Sequence, residues 1–396
     1  MPRYARLIWT GLLAATLGLL FGGTAALAAP NPCDFPTHAS LSPQETAWKL
    51  FVAANCPANA GKVVWENWVE QLQLYPANAG STALLAAPPR RLHGSPLAHA
   101  LAARLAATRA AALPQLAPNT ECGTMQAPPK NVVATQICEE VRLNPDAARF
   151  ITGAGYQVRT AQAAAAQKGT DIEFPAPAVE IKVDWIPASD FSPAFTCASP
   201  PKGVRTEEID GTCYAMAGIH ISSKLLKNWL WATFEPQSLL TNPLRCVTFG
   251  ACHDAWGSVP AISHGGAAGF THQTPALQRL MRQAGLAPAY FNYRLDGAQT
   301  VFGTAAHPTL LGNSIIEGEN VGMTAGTASC ISCHSQSAIK GDGTDSLASL
   351  NATVGTRYTP PAGWVARDFV WSMAFACPDP TKTGAQACQA SVAAAN

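Results

Sequence analysis

The chain has 396 residues and 48% hydrophobic content, enough to bury one or two cores. Its net charge is +1 and only 13% of its residues are charged. That balance excludes a nucleic-acid partner, because phosphate binding needs clustered Lys and Arg, and no block of like charges points to an acidic or basic partner.

Residues 1–28 predict a secretory signal peptide. Arg3 and Arg6 form its positive end, Leu7 to Phe21 its apolar core, and Ala26-Leu27-Ala28 a small-x-small cleavage site. The apolar core is short for a bilayer span, and no other stretch is long and apolar enough. The mature chain is therefore expected in the periplasm or secreted, with no stable membrane span after cleavage. Twelve cysteines fit that compartment. Two belong to a motif described below. The other ten predict structural disulfides, which persist where the environment is oxidising. Sequence leaves connectivity open. Pairing between neighbours is the expectation, because short loops keep partners close: Cys33 with Cys56, Cys122 with Cys138, Cys197 with Cys213, Cys246 with Cys252, and Cys377 with Cys388.

Residues 29–177 read as an Ala-rich helical region. Ser42-Pro43-Gln44-Glu45 is a helix start, with Ser42 as cap, Pro43 at the first helical position and Glu45 completing a capping box. Trp48, Leu50 and Phe51 give that helix an apolar face. Trp65, Trp68 and Val69 suggest a second helix, and Leu97 to Leu113 and Thr160 to Gln167 two more. From residue 178 the period changes to two. Val179, Ile181, Val183 and Trp185 alternate with Glu180, Lys182 and Asp184, which predicts a half-buried strand. Tyr214 to Ile221 predicts a second strand, with Tyr214, Met216, Gly218 and His220 on one face. Trp229 to Phe234 predicts a third, and three close strands imply an antiparallel sheet. Pro275 to Ala284 reads as a helix ending at Gly285, and Val365 to Cys377 as an aromatic helix. The expected fold is α+β, with helices packed around a small antiparallel sheet in residues 178–396. Gly341 to Asp345 lacks the closing Glu of a calcium loop and reads as a solvated turn. Asn351-Ala352-Thr353 matches a glycosylation acceptor.

Cys330-Ile331-Ser332-Cys333-His334 carries the strongest chemical signal. Covalent haem c attachment needs two thiols to add across two vinyl groups, and a following His to sit beneath the iron. One motif predicts one haem c near the C-terminus, bound through Cys330 and Cys333 with His334 as the proximal iron ligand. A structural zinc would need a second Cys/His pair, and no second Cys-x-x-Cys exists. A thioredoxin-like pair would need a βαβ context, and a plain disulfide would not explain His334.

The sixth ligand decides the chemistry, because a Met raises the potential and an open site admits small molecules. His220 is the main distal candidate, with Gly218 two residues before it leaving room for a flat ring. Met373 on the aromatic helix is the alternative, and Met216 a weaker third. His253, His264, His272 and His307 lie among Gly and Pro and read as loop residues. His334 would also need its second nitrogen bonded to a carbonyl or carboxylate.

Residues Val179 to Trp185, Gly218-Ile219-His220-Ile221, Trp229 to Glu235, Asn292-Tyr293-Arg294-Leu295, Gly312 to Glu317 and Ser329 to His334 occur in that order. This set resembles a family of exported bacterial proteins with a cytochrome c domain and a single haem. The resemblance covers roughly residues 179–376 and implies Cys330, Cys333 and His334 as haem residues. It also favours His220 over Met373, since relatives keep a His at the first position and often a Leu or Phe at the second. It further implies that Asn313, Glu317, Arg294 and Gln299 form a constellation near the haem. This chain departs from the pattern at Pro236, where relatives often carry His or Gln. The resulting expectation is a mono-haem c-type cytochrome passing single electrons between redox partner proteins. The alternative is a haem c enzyme of peroxidase or oxidoreductase type with an open or displaceable distal site. About 300 residues between the signal and the motif exceed what a small electron carrier needs.

Overall fold

A computed structural model describes residues 31–75, 122–124, 131–133, 136–237, 253–259, 261, 271–313, 315, 317, 327–349 and 353–376. The predicted signal, the helix at Leu97 to Leu113, His264, the remaining four cysteines of the expected disulfides and most of the glycosylation acceptor lie outside these residues.

The dominant element is an eight-stranded antiparallel sheet. Its main path runs β1 (Val69–Glu70), β3 (Gln136–Leu143), β4 (Val179–Pro187), β6 (Thr212–Ser223), β7 (Leu230–Pro236) and β10 (Tyr293–Gln299). Two short strands extend it: β2 (Gly123–Thr124) pairs with β3, and β5 (Thr206–Ile209) with β6. This overturns the expectation of helices packed around a small sheet. Among the described residues the longest helix, α1 (Pro43–Ala54), has 12 residues. The others are short: α2 (Gln71–Leu74), α3 (Pro145–Gly153), α4 (Arg159–Gln167), α5 (Pro275–Gln283) and α6 (Cys330–His334). Two small ribbons complete the fold, β8 (Ser258–Val259) with β9 (His272–Gln273), and β11 (Ala338–Lys340) with β12 (Trp364–Ala366). The main sheet takes strands from both sides of position 178, since β3 pairs with β4 along six residues.

The physical reasons for the additional strands are specific. β3 reads Gln-Ile-Cys-Glu-Glu-Val-Arg-Leu, and its charges hide the alternation. They are tolerated because Glu140 and Arg142 pair at 2.7 Å in the interior, and Trp185 Nε1 donates to Glu140 at 3.1 Å. In β10, Arg294 is paired with Glu235 and with Asp296. The expected helix at Trp65 is a 3-10 turn over Val64–Asn67 running into β1. The expected aromatic helix at Val365 is β12 followed by a 3-10 turn over Trp371–Phe375. Asp368 and Phe369 take φ values of 50° and 70°, a left-handed conformation that no α-helix accommodates.

Other readings coincide with the structure. α1 starts as expected, with Ser42 Oγ accepting from Glu45 N at 3.3 Å, although the Glu45 carboxylate turns to Lys49 at 2.8 Å. α5 ends at Gly285, whose φ of +68° suits a glycine. Three disulfides join Cys33 to Cys56, Cys122 to Cys138 and Cys197 to Cys213. Among the described residues no helix is long and apolar enough to cross a membrane. These features are compatible with a secreted or periplasmic protein.

One face of the sheet is apolar. Ile181, Val183, Ile219, Ile221, Phe234 and Leu295 pack against Trp48 and Phe51 of α1. Phe51 alone has four aromatic neighbours, with its ring centre 4.5 Å from Phe234 and 5.4–5.9 Å from Trp48, Tyr290 and Tyr293. The other face carries two polar rows across five strands. Val141, Lys182, His220, Thr233 and Gly297 stand opposite one another in register, as do Leu143, Glu180, Ser222, Trp231 and Gln299. The segment carrying α6 covers this polar face.

Candidate functional site

In a helix, residues three and four apart share a face. Cys330, Cys333 and His334 therefore project together from α6, half-buried, while Ile331 and Ser332 are buried on the far side. The helix is held from outside. Its cap residue Ser329 makes no side-chain cap. Instead Gln299 Oε1 accepts from Ile331 N at 2.9 Å, and Gln299 Nε2 donates to Ser329 Oγ at 3.0 Å and Thr309 O at 2.7 Å. Ser332 Oγ accepts from Gly355 N at 3.1 Å. A side chain at the end of β10 thus supplies the acceptor that the first turn of any helix lacks.

His334 is fixed on two sides. Its Nδ1 lies 2.8 Å from the Phe369 carbonyl oxygen. A carbonyl only accepts, so Nδ1 carries the proton and Nε2 keeps its lone pair. The left-handed backbone at Phe369 aims that carbonyl. Trp231 packs against the imidazole with ring centres 4.4 Å apart. Burial lowers the His334 pKa to about 4, against the raising effect of the Phe369 bond. The ring is neutral at neutral pH, the state a metal requires.

His334 and Cys330 line a cavity whose opposite wall is the polar face of the sheet. Its lining includes Val141, Lys182, His220 and Trp231, with Trp371 and Phe375 closing one side. His220 Nε2 is buried and has no hydrogen-bond partner. The nearest carboxylate is Glu317, at 3.9 Å. Burial, Lys182 and His334, in that order, hold the His220 pKa well below its ordinary value. The site therefore faces two neutral imidazoles into one cavity.

The charged groups around it are paired. Lys182 forms an ion pair with Glu139, and Ser372 Oγ donates to Glu180. Burial raises Glu180 to about 7, opposed by the Ser372 bond. Burial also raises Glu317 to about 7, although Asn313 N donates to it. The Cys330 thiol is pushed well up by burial and then by the Glu317 carboxylate, and Cys333 rises to about 11 for the same two reasons. Both thiols are protonated at neutral pH.

The expected candidates are thus sorted. His220 joins Cys330 and His334 at the cavity. Met373 does not, for it is fully buried among Leu74, Tyr75, Ile151 and Phe369, and Tyr75 Oη donates to its sulfur at 3.6 Å. Met216 is in the apolar core, because a bulge opposite Asp184 and Trp185 inserts an extra residue in β6 and reverses the alternation between Met216 and His220. His253 donates its N–H to Asp296 O at 2.8 Å, and His272 and His307 are exposed. Of the expected constellation, Gln299 holds α6 and Glu317 approaches His220. Asn313 ties its loop to β7 through Thr233 Oγ1 at 3.0 Å, and Arg294 pairs with Glu235. Lys182, Glu180 and the Phe369 carbonyl are additions that the sequence reading did not single out. The first two carried a signal, since they are the polar positions of a strand neighbouring His220. A carbonyl carries none.

The residues present fit a haem. The unpartnered His220 Nε2, the free Nε2 of His334 and two thiols on one helical face are the donor set such a group uses. Among the described residues no group of three or more His, Cys, Asp or Glu is arranged to hold a bare metal ion. Compared with protein-family models, curated proteins and solved structures, the chain matches none of them.

Proposed function

We propose that this chain is an exported, periplasmic mono-haem c-type cytochrome that passes single electrons between redox proteins. The observation that carries the reading is the pair of neutral imidazoles, His334 and His220, facing one cavity beside the thiols of Cys330 and Cys333. Cys330 and Cys333 would hold a haem by adding their S–H groups across its two vinyl groups, an addition that changes no net oxidation state. A bound haem c supplies the one-electron couple. The chain's own residues do the rest. His334 is oriented by Phe369 O and Trp231, α6 is held by Gln299, and the sheet and the 371–375 turn wall the cavity. His220 is the distal ligand in this reading, and Met373 stays with Tyr75.

A pyridine haemochrome assay tests the cofactor: one c-type haem per chain is expected, and none would end the proposal. Electron paramagnetic resonance of the ferric protein tests the ligands. Low-spin wild type, high-spin His220→Ala and unchanged Met373→Ala are expected. A second reading, a haem c enzyme, is favoured by Glu317 lying 3.9 Å from His220, where a distal carboxylate and imidazole would serve a bound substrate. High-spin wild-type iron that binds cyanide would select it.

A further inference from the structure

The geometry points to an electron port on the proximal side of the site, at Arg357, that receives an anionic redox partner. The inference rests on the reading of the cavity as a haem c relay.

The distal side is closed. His220 stands in the middle of the sheet between β4 and β7, and the apolar layer under α1 lies behind it. The proximal side is thin. From His334, one hydrogen bond of 2.8 Å reaches the Phe369 carbonyl. The Phe369 ring lies under the guanidinium of Arg357, 5.5 Å from its centre, and Arg357 is exposed. A parallel route runs through rings, from His334 to Trp231 at 4.4 Å and from Trp231 to Phe369 at 6.1 Å. Asn228 joins the two routes at the surface. Its carbonyl accepts from Trp231 Nε1 at 3.0 Å and its side chain from Arg357 at 3.2 Å. Electronic coupling falls steeply with distance, so a partner seated on Arg357 is separated from the proximal ligand by a single residue.

The charge at this port selects the partner. Lys224 is neutralised by Asp368 at 2.7 Å and Glu173 at 3.5 Å. Lys227 is exposed beside Asn228, and neither it nor Arg357 has a carboxylate partner among the described residues. Arg357, lying over the Phe369 ring, and the exposed Lys227 leave this surface with uncompensated positive charge that attracts an acidic face. In each encounter a bound haem would give one electron to the one-electron acceptor, and no proton need move.

The test uses the haem-loaded full chain, its variant Lys227→Glu/Arg357→Glu, and Arg282→Glu as a control on α5, which packs on the other face of the sheet. Stopped-flow oxidation is followed with ferricyanide and with tris(phenanthroline)cobalt(III). At low ionic strength the double variant should react about tenfold more slowly with the anion and faster with the cation. Both differences should shrink at about 0.15 M salt, where the screening length is about 8 Å. The visible spectrum should not move, and the rates are compared after correction for any shift in midpoint potential. A second readout needs no electron transfer: hexacyanocobaltate(III), a redox-inert anion, should shift the amide resonances of Asn228 and Arg357. Equal changes with both oxidants, an effect of Arg282→Glu as large as that of the double variant, or no shift at Asn228 and Arg357 would overturn the port. Absence of haem in the haemochrome assay would instead overturn the reading on which it rests.

Discussion

The two faces of the main sheet are built from the same strands and do opposite work. On the α1 face, side chains at alternate positions form an aromatic and aliphatic core in which Trp48 Nε1 meets Asp254 at 2.9 Å and Glu140 is paired with Arg142. On the other face, Lys182, His220, Thr233, Glu180 and Ser222 stand in two rows in register, partly covered by the α6 segment, and His220 Nε2 has no hydrogen-bond partner. Burying a polar atom without a hydrogen bond costs on the order of 1–3 kcal/mol. The first face is packed for stability, and the second offers a candidate ligand site. The comparison makes a separable forecast: damage to the α1 face should cost stability and spare the cofactor, while damage to the polar face should alter the cofactor site.

The largest effect is expected at Phe51. Its ring joins Trp48, Phe234, Tyr290 and Tyr293, and Phe51→Ala opens a cavity in that layer. Urea unfolding should show a loss of about 3–5 kcal/mol. If the proposed haem is bound, the folded fraction should keep its stoichiometry and its ferric spectrum. A changed spectrum in the folded fraction would mean that the two faces are not independent.

Gln299 comes next, because it connects the sheet to α6. Gln299→Ala leaves the Ile331 N–H without its acceptor and frees Ser329 and Thr309. A loss of about 1–3 kcal/mol follows from an unsatisfied buried donor. Unlike Phe51→Ala, it should also broaden the ferric resonance signal, since His334 rides on the same helix. Gln299→Glu keeps the acceptor and should restore the signal more than the stability. If Gln299→Ala leaves the signal sharp, the helix is held by Ser332 and Gly355 alone.

Much of the apolar face was legible in the sequence, for a strand that buries one face announces itself by alternation, as Val179 to Trp185 and Leu230 to Phe234 do. The polar face was legible only in fragments. His220 stood out as a histidine on a strand, but its neighbours Lys182 and Glu180 looked like solvent-facing positions, because a polar residue in an alternating strand is the same letter whether water or a cofactor covers it. Strand β3 was hidden by Glu140 and Arg142, which neutralise each other across two positions. The proximal side was hidden more completely. The pattern from Val365 to Phe375 suits a helix, and only the left-handed turn at Asp368 and Phe369 converts it into the carbonyl that holds His334. The motif at Cys330 to His334 was legible because its three candidate positions fall within five residues of the chain.

The smallest effect, and the one that examines the polar face without touching a ligand, is the titration of Glu180. Burial raises its pKa to about 7, and the Ser372 hydroxyl opposes that rise. A carboxyl whose pKa is higher folded than unfolded binds its proton more tightly in the folded state. Its contribution to stability is therefore complete below about pH 4.5, declines as pH rises through about 7, and is constant above that. Over this interval the decline is at most about 3 kcal/mol, given 1.36 kcal/mol for each unit of pKa, and water at the half-buried carboxyl reduces it. Glu317 titrates in the same range, so the informative quantity is the difference between wild type and Glu180→Gln. The variant should lose the part of the slope between pH 4.5 and 7 that belongs to Glu180, and gain relative stability at pH 8. Parallel slopes in urea titrations across this range would place Glu180 in contact with water, and with it the row it shares with Ser222 and Trp231.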